Sequence, residues 1–314
     1  MTFTTLTRSS LAAAALIALA QTASAGTYDR VFAFGDSLTD NGNFFAATGG
    51  AFPPPPYFAG RFSNGPVAVE YLAAGLGATL HDYAYAGATT GFLNPTVPAG
   101  PLHFTGVLSQ VAGFTGAAPA GAAGPGALFM VWAGANDFLD AAPADIPAVG
   151  AAAIANLATA AVNLYGVGAR DFLFPLMADL GATPQVRALG PAAAGFASFV
   201  SLSFNGALEH NLELLAATLP GSHFMFYDTF AQSHLLLDHP SFYGLTNTTD
   251  PCLTATSLCA DPSQYFFWDD LHPTTGVAAL IGQSLAAAVP EPASMLLAAA
   301  GVLALIGLGR KRRV

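Results

Sequence analysis

The sequence predicts an α/β protein, a parallel β-sheet covered by helices on both faces. Two observations carry this. Short apolar runs alternate along the chain with longer helix-patterned stretches, and strand, crossover and helix in repeated order build a parallel sheet. Polar, glycine-containing clusters follow the apolar runs directly, where the ligand-binding loops of such a sheet lie.

Residues 31–34 (Val-Phe-Ala-Phe) form the first strand candidate and end at Gly35. Residues 66–76 read as a helix with Pro66 in its first turn and Val69, Leu72, Ala73 and Leu76 on one face. Further strand candidates are 80–85, 128–132, 172–175 and 224–227, with alanine-rich helical stretches at 146–165 and 192–219 and a last helix at 274–288. The run Phe52-Pro53-Pro54-Pro55-Pro56-Tyr57 reads as an extended, polyproline-like surface loop. No internal repeat or linker interrupts the pattern, so one domain is expected.

The two ends stand apart. Arg8, the apolar stretch 11–20 and Ala23-Ser24-Ala25 have the form of a signal peptide cleaved after Ala25, and the run is too short for a membrane anchor. At the other end, Pro290-Glu291-Pro292 precedes the uncharged stretch 293–309 and the cluster Arg310-Lys311-Arg312-Arg313. That stretch spans roughly 25 Å as a helix, the short end of a transmembrane segment, and the basic cluster would stay cytoplasmic. An exported protein with a C-terminal membrane stop follows.

The whole chain carries a formal charge of −10, with 53% hydrophobic and 9% charged residues. Between the ends, residues 26–289 hold four arginines, no lysine and eighteen acidic residues, a formal −14. A surface of that sign excludes nucleic acid as a partner. The apolar content, with 24 Phe, excludes disorder. Cys252 and Cys259 are the only cysteines, and in an exported chain they are expected to form a disulfide. No histidine spacing accompanies them, so no metal site is expected.

Ser37, in Gly35-Asp36-Ser37-Leu38-Thr39-Asp40, sits just past the first strand and can present its hydroxyl at the rim of the sheet. It can equally cap the next helix. The motif is not the G-x-S-x-G elbow, because Thr39 stands where that motif has glycine. A serine hydroxyl needs a base, and the candidate is His272 in Asp269-Asp270-Leu271-His272-Pro273. Asp269 can accept the imidazole Nδ1–H from the same loop, and Asp270 competes for that role. Pro273 would open the last helix. The other six histidines, at 81, 103, 210, 223, 234 and 239, lack such a partner arrangement in sequence. For an oxyanion, Asn136 can offer its amide, Gly87 a backbone N–H and Ser37 another, although Asn136 can also be a turn residue.

In this order the blocks resemble the SGNH hydrolases, also called GDSL lipases and esterases. The matches are Gly35-Asp36-Ser37-Leu38 with Asp40, then Gly87, Gly134-x-Asn136-Asp137 and Asp269-x-x-His272. Gly60-Arg61-Phe62-Ser63-Asn64-Gly65-Pro66 and Asp179-Leu180-Gly181-Ala182-Thr183-Pro184 look like the lipase and lecithinase-like branch. Ala86 departs from the second glycine many relatives have beside Gly87. The resemblance implies a three-layer, flavodoxin-like α/β/α fold around a five-stranded parallel sheet. It also implies Ser37 as nucleophile, His272 as base, Asp269 as its orienter, and Ser37, Gly87 and Asn136 as the oxyanion hole, with no cofactor. The C-terminus similarly resembles a PEP-CTERM sorting signal, with helix 293–309. That implies exosortase processing and a secreted or envelope protein of a Gram-negative bacterium, the helix holding it to the membrane beforehand; a permanent tail anchor is the alternative.

The expected function is a secreted serine hydrolase of carboxylic esters, acting through an acyl-enzyme on lipid or acyl-chain esters. Phe44, Phe45, Phe52, Tyr57 and Phe58 are aromatics near the nucleophile, and serve equally as core or as acyl contacts. The rivals are an O-acetylesterase acting on acylated carbohydrate and a non-enzymatic surface protein. Activity should rise as His272 loses its proton, near the ordinary histidine pKa of about 6.5.

Overall fold

In the computed structural model, residues 28–118, 122–139 and 141–290 are described. The signal peptide expected at 1–25 and the helix expected at 293–309 lie outside them.

Five strands make the central sheet: β1 (Arg30–Gly35), β2 (Thr79–Asp82), β3 (Ala127–Trp132), β4 (Asp171–Pro175) and β5 (His223–Tyr227). All neighbours pair in parallel, in the order β2-β1-β3-β4-β5. Phenylalanine explains much of the register. Phe32 stands opposite His81 and Phe129, Phe129 opposite Phe172, and Phe172 opposite Phe224. Ring centroids along this row are 4.9, 5.0, 6.2 and 4.7 Å apart, so one ladder of rings crosses all five strands. Each buried Phe stabilises the fold by ~2–3 kcal/mol, and a one-residue slip would move its strand's rings to the other face.

The ladder face is covered by helices α2 (Val107–Ala117), α3 (Ile146–Gly166) and α4 (Pro191–Ala216), which bury Val111, Phe114, Leu157, Leu164, Phe204 and Leu208 in one core with it. Helix α3 is apolar and long enough to cross a membrane by composition alone, but its buried stripe faces this core. On the other face, α1 (Ala68–Leu76) packs on α6 (Thr275–Ala288), burying Val69, Leu72, Val277, Ile281 and Leu285. Helix α5 (Thr229–Asp238) follows β5. The three layers are those the resemblance implies.

Several boundaries differ from the sequence reading. Strand 80–85 stops at Asp82, because the Asp82 carboxylate accepts the Ala84 N–H at 2.8 Å and bends the chain. Helix 66–76 begins at Ala68, since the Glu70 carboxylate takes the Val67 N–H at 2.9 Å and Pro66 lies outside. Helix 192–219 ends at Ala216. Pro273 does not open the last helix; Thr274 is its N-cap. Bends and turns replace the polyproline conformation over 52–60. Unanticipated is a short parallel ribbon, β6 (Asn247–Pro251) with β7 (Tyr265–Phe267). The Cys252–Cys259 disulfide closes the loop between its strands, and β7 runs straight into Trp268 and Asp269.

Candidate active site

Strand order reverses between β1 and β3, with β2 on one side and β4 on the other. Such a switch point leaves a crevice at the carboxyl ends of its two strands, and Ser37 and Asn136 follow these two ends. Gly35 ends β1 against β3, where a Cβ would lie 2.3 Å from the Trp132 carbonyl oxygen. A tight turn comes next. The Asp36 carbonyl accepts the Thr39 and Asp40 N–H groups at 3.0 and 2.9 Å, and Asp36 Oδ1 accepts the Leu38 N–H at 3.0 Å.

From 235 positions away, His272 Nε2 meets Ser37 Oγ at 2.7 Å. The Asp269 carboxylate holds the other side of the ring: Nδ1 lies 2.8 Å from Oδ2 and 2.9 Å from Oδ1. Oδ1 also accepts the N–H groups of Leu271 and His272, at 2.9 and 2.7 Å. Asp270 makes no hydrogen bond to His272; its carbonyl takes the Gln185 N–H. Of the two carboxylates the sequence leaves open, Asp269 is the one on the imidazole.

Burial opposes charge on all three groups, and their neighbours decide the outcome. For Asp269, burial is outweighed by His272 and by the backbone N–H groups, which hold the carboxyl at about 2. Burial also pulls the His272 imidazole down, but Asp269, with Asp36 adding to it, keeps it above its ordinary value. Asp36 goes the other way: burial pushes its carboxyl up to about 7, against the Leu38 N–H and His272.

The expected oxyanion donors are Ser37, Gly87 and Asn136. Among the described residues, the N–H groups of Ser37 and Gly87 donate to no protein acceptor. Asn136 Nδ2 gives one hydrogen to the Ala88 carbonyl at 3.0 Å, which leaves the second free and ties Asn136 to the Gly87 turn. Gly87 has φ +79°, and a Cβ there would fall 2.1 Å from Thr96 Oγ1. Ser37, Asn136 and His272 line one cavity together with Leu38, Trp132, Met177, Leu180, Phe267 and Ile281, so its wall is largely apolar. Gly87 is buried in the turn and does not line that cavity.

Carboxylates wire these loops together. Asp40 accepts the N–H groups of Gly42, Asn43, Phe44 and Ala86, joining the Ser37 loop to the Gly87 turn. Asp137 accepts the N–H and hydroxyl of Thr90 at 3.0 and 2.7 Å. Both stand inside the blocks that carry the resemblance, but spacing gives them no role. Tyr57, in sequence one aromatic among several, donates its hydroxyl to Asp269 Oδ2 at 2.8 Å.

Two histidines that lack a partner in the sequence pattern do have carboxylates: His223 pairs with Asp171 and His234 with Asp179, both at 2.9 Å. The partners come from other elements, so no local spacing announces them. Among the described residues, neither ring has a hydroxyl on its other nitrogen. Among the described residues, no group of three or more His, Cys, Asp or Glu side chains is arranged to hold a metal ion.

Residues 31–285 match the family described as GDSL-like lipase/acylhydrolase, and residues 288–313 match the PEP-CTERM protein-sorting motif. The thermolabile hemolysin of Vibrio parahaemolyticus is 29% identical over 279 residues, covering 82% of this chain and 63% of the hemolysin. A GDSL esterase/lipase of Arabidopsis thaliana is 29% identical over 293 residues, with 79% and 85% covered. The phosphatidylcholine-sterol acyltransferase of Aeromonas hydrophila is 31% identical over 232 residues, with 72% and 65% covered. The chain thus spans less than two thirds of the hemolysin and of the acyltransferase.

Proposed function

The chain belongs to the GDSL-like lipase/acylhydrolase family, and on that ground we propose that it is an exported serine hydrolase of carboxylic esters. Ser37 Oγ attacks the ester carbonyl while His272 Nε2 takes its proton. The N–H groups of Ser37 and Gly87 and the Asn136 amide receive the oxyanion. His272 then returns the proton to the leaving alkoxide oxygen, releasing the alcohol and leaving an acyl-Ser37. Water, deprotonated by the same imidazole, attacks the acyl carbon; the acyl–Oγ bond then breaks as His272 returns that proton to Ser37 Oγ, freeing the acid. Asp269 stays ionised throughout, orienting the ring and stabilising the imidazolium.

The observation that carries this reading is the 2.7 Å contact between Ser37 Oγ and His272 Nε2, with Asp269 on the opposite nitrogen. The apolar cavity beside Ser37 favours an acyl chain over a bare acetyl group. The sorting motif supports export and processing by an exosortase at the envelope of a Gram-negative bacterium. In that reading the chain divides into a leader at 1–25, a catalytic domain at 26–289 and a sorting segment at 290–314.

A fluorophosphonate probe should label the protein and fail to label Ser37→Ala; labelling that survives this substitution would remove Ser37 as nucleophile. On p-nitrophenyl esters, kcat/KM should rise from acetyl to longer acyl chains. Preference for acetylated polysaccharide would move the substrate to carbohydrate.

A further inference from the structure

We infer that residues 57–66 form a cradle that positions the loop bearing Asp269 and His272, and that Tyr57 is its positioning residue, setting the plane of the Asp269 carboxylate. The inference rests on the roles proposed above for Ser37, His272 and Asp269.

The Asp269 carboxylate is held unevenly. Oδ1 takes two backbone N–H groups, from Leu271 and His272, but both belong to the same loop and would travel with it. Oδ2 faces the His272 ring and the Tyr57 hydroxyl, 212 positions away in sequence. Tyr57 is therefore the hydrogen bond that refers the carboxylate to the rest of the protein. The Tyr57 ring is itself fixed, edge-on to Trp268 at 6.1 Å and against Phe62 at 5.8 Å, and Phe62 lies 5.3 Å from the His272 ring.

Downstream, the same segment grips the far side of the loop. Ser63 Oγ donates to the Pro273 carbonyl at 2.8 Å, Asn64 Oδ1 accepts the Thr275 N–H at 2.8 Å, and the Pro66 carbonyl accepts the Thr275 hydroxyl at 2.9 Å. Gly65 lies so close to Thr275 that a Cβ would fall 2.6 Å from its Oγ1. Arg61, forked onto Glu70 at 2.6 and 3.2 Å, ties the cradle to α1. Contacts thus run from the start of the loop at Trp268 to the start of α6.

Removing the hydroxyl alone has two consequences. The carboxylate can swing, so Nε2 aims less well at Ser37. Its charge is also shared with one donor fewer, so it holds the imidazolium more strongly. The titratable groups facing His272 are Asp269 and Asp36; those facing Tyr57 are Asp269 and Asp270.

The test is Tyr57→Phe in the purified protein, assayed on a p-nitrophenyl ester from about pH 5 to about pH 9. We expect kcat to fall about tenfold with KM nearly unchanged, the acid limb to move to higher pH, and the low-field Nδ1–H resonance of His272 to shift. An unchanged kcat and acid limb would overturn the inference. So would a fall in kcat matched by lost thermal stability with the limb in place, because that marks Tyr57 as mere packing. Ser37→Ala in parallel separates the two readings. If it stays active, the active-site assignment fails; if it is inactive while Tyr57→Phe behaves as wild type, only the cradle fails.

Discussion

Gln110 on α2 grips both backbone groups of Gly35, the last residue of β1. The Gly35 N–H donates to Gln110 Oε1 at 2.9 Å, and Gln110 Nε2 donates to the Gly35 carbonyl at 2.8 Å. Nε2 also reaches the Thr105 carbonyl at 2.8 Å. A buried amide thus anchors the strand end two residues before Ser37.

Gln110→Leu is expected to destabilise the protein by ~2–4 kcal/mol, because it strands buried donors and acceptors while keeping much of the side-chain volume. Urea titration reads the stability. The kcat of the folded fraction should also fall, since the strand end that aims Ser37 is loosened. Wild-type stability and kcat would mean that the two Gly35 bonds carry no weight.

Asp269 holds His272 above the ordinary histidine pKa, so the base is protonated to a higher pH than a free imidazole would be. Catalysis needs it neutral. The acid limb of kcat/KM is therefore expected above about 6.5, not at it as the bare sequence suggests. Asp269→Asn removes the charge that raises the imidazole, so the limb should move down while kcat falls by ~10³–10⁴. A pH series on both proteins checks the two directions; a limb unmoved by the substitution would show that Asp269 does not set the base.

Legibility in the sequence follows distance along the chain: a local signal can be read, a remote pairing cannot. The five strands are legible because Phe, Val and Leu runs such as Val31-Phe32-Ala33-Phe34 are bounded by turn residues. Asp269 and His272 are legible because they share one loop. Tyr57 is not, since its partner lies far along the chain and a tyrosine in a proline-rich stretch has many uses. The same distance hides His223 with Asp171 and His234 with Asp179. Helix α2 escapes a sequence reading because Gly113 and Gly116 dilute its pattern; its Phe114 packs against Phe32 and Phe129 of the phenylalanine ladder. Ribbon β6–β7 owes its form to pairing and a disulfide, neither of which leaves a period in the sequence.

Gly87 offers the sharpest geometric test of the oxyanion assignment. Its φ of +79° suits glycine, and an added Cβ would lie 2.1 Å from Thr96 Oγ1 and 2.6 Å from Asn94 Oδ1. Gly87→Ala should therefore displace the turn and carry its unclaimed N–H out of line. The loss falls on the transition state, where the oxyanion forms, so kcat should drop by ~10²–10³ with KM little changed. Asn136→Ala, which removes the second donor together with its bond to the Ala88 carbonyl, should cost a similar factor. Because the two donors would serve one oxygen, the double variant should lose less than the product of the single losses. Steady-state kinetics on all three proteins measures this, and full additivity would place the two donors on different groups of the substrate.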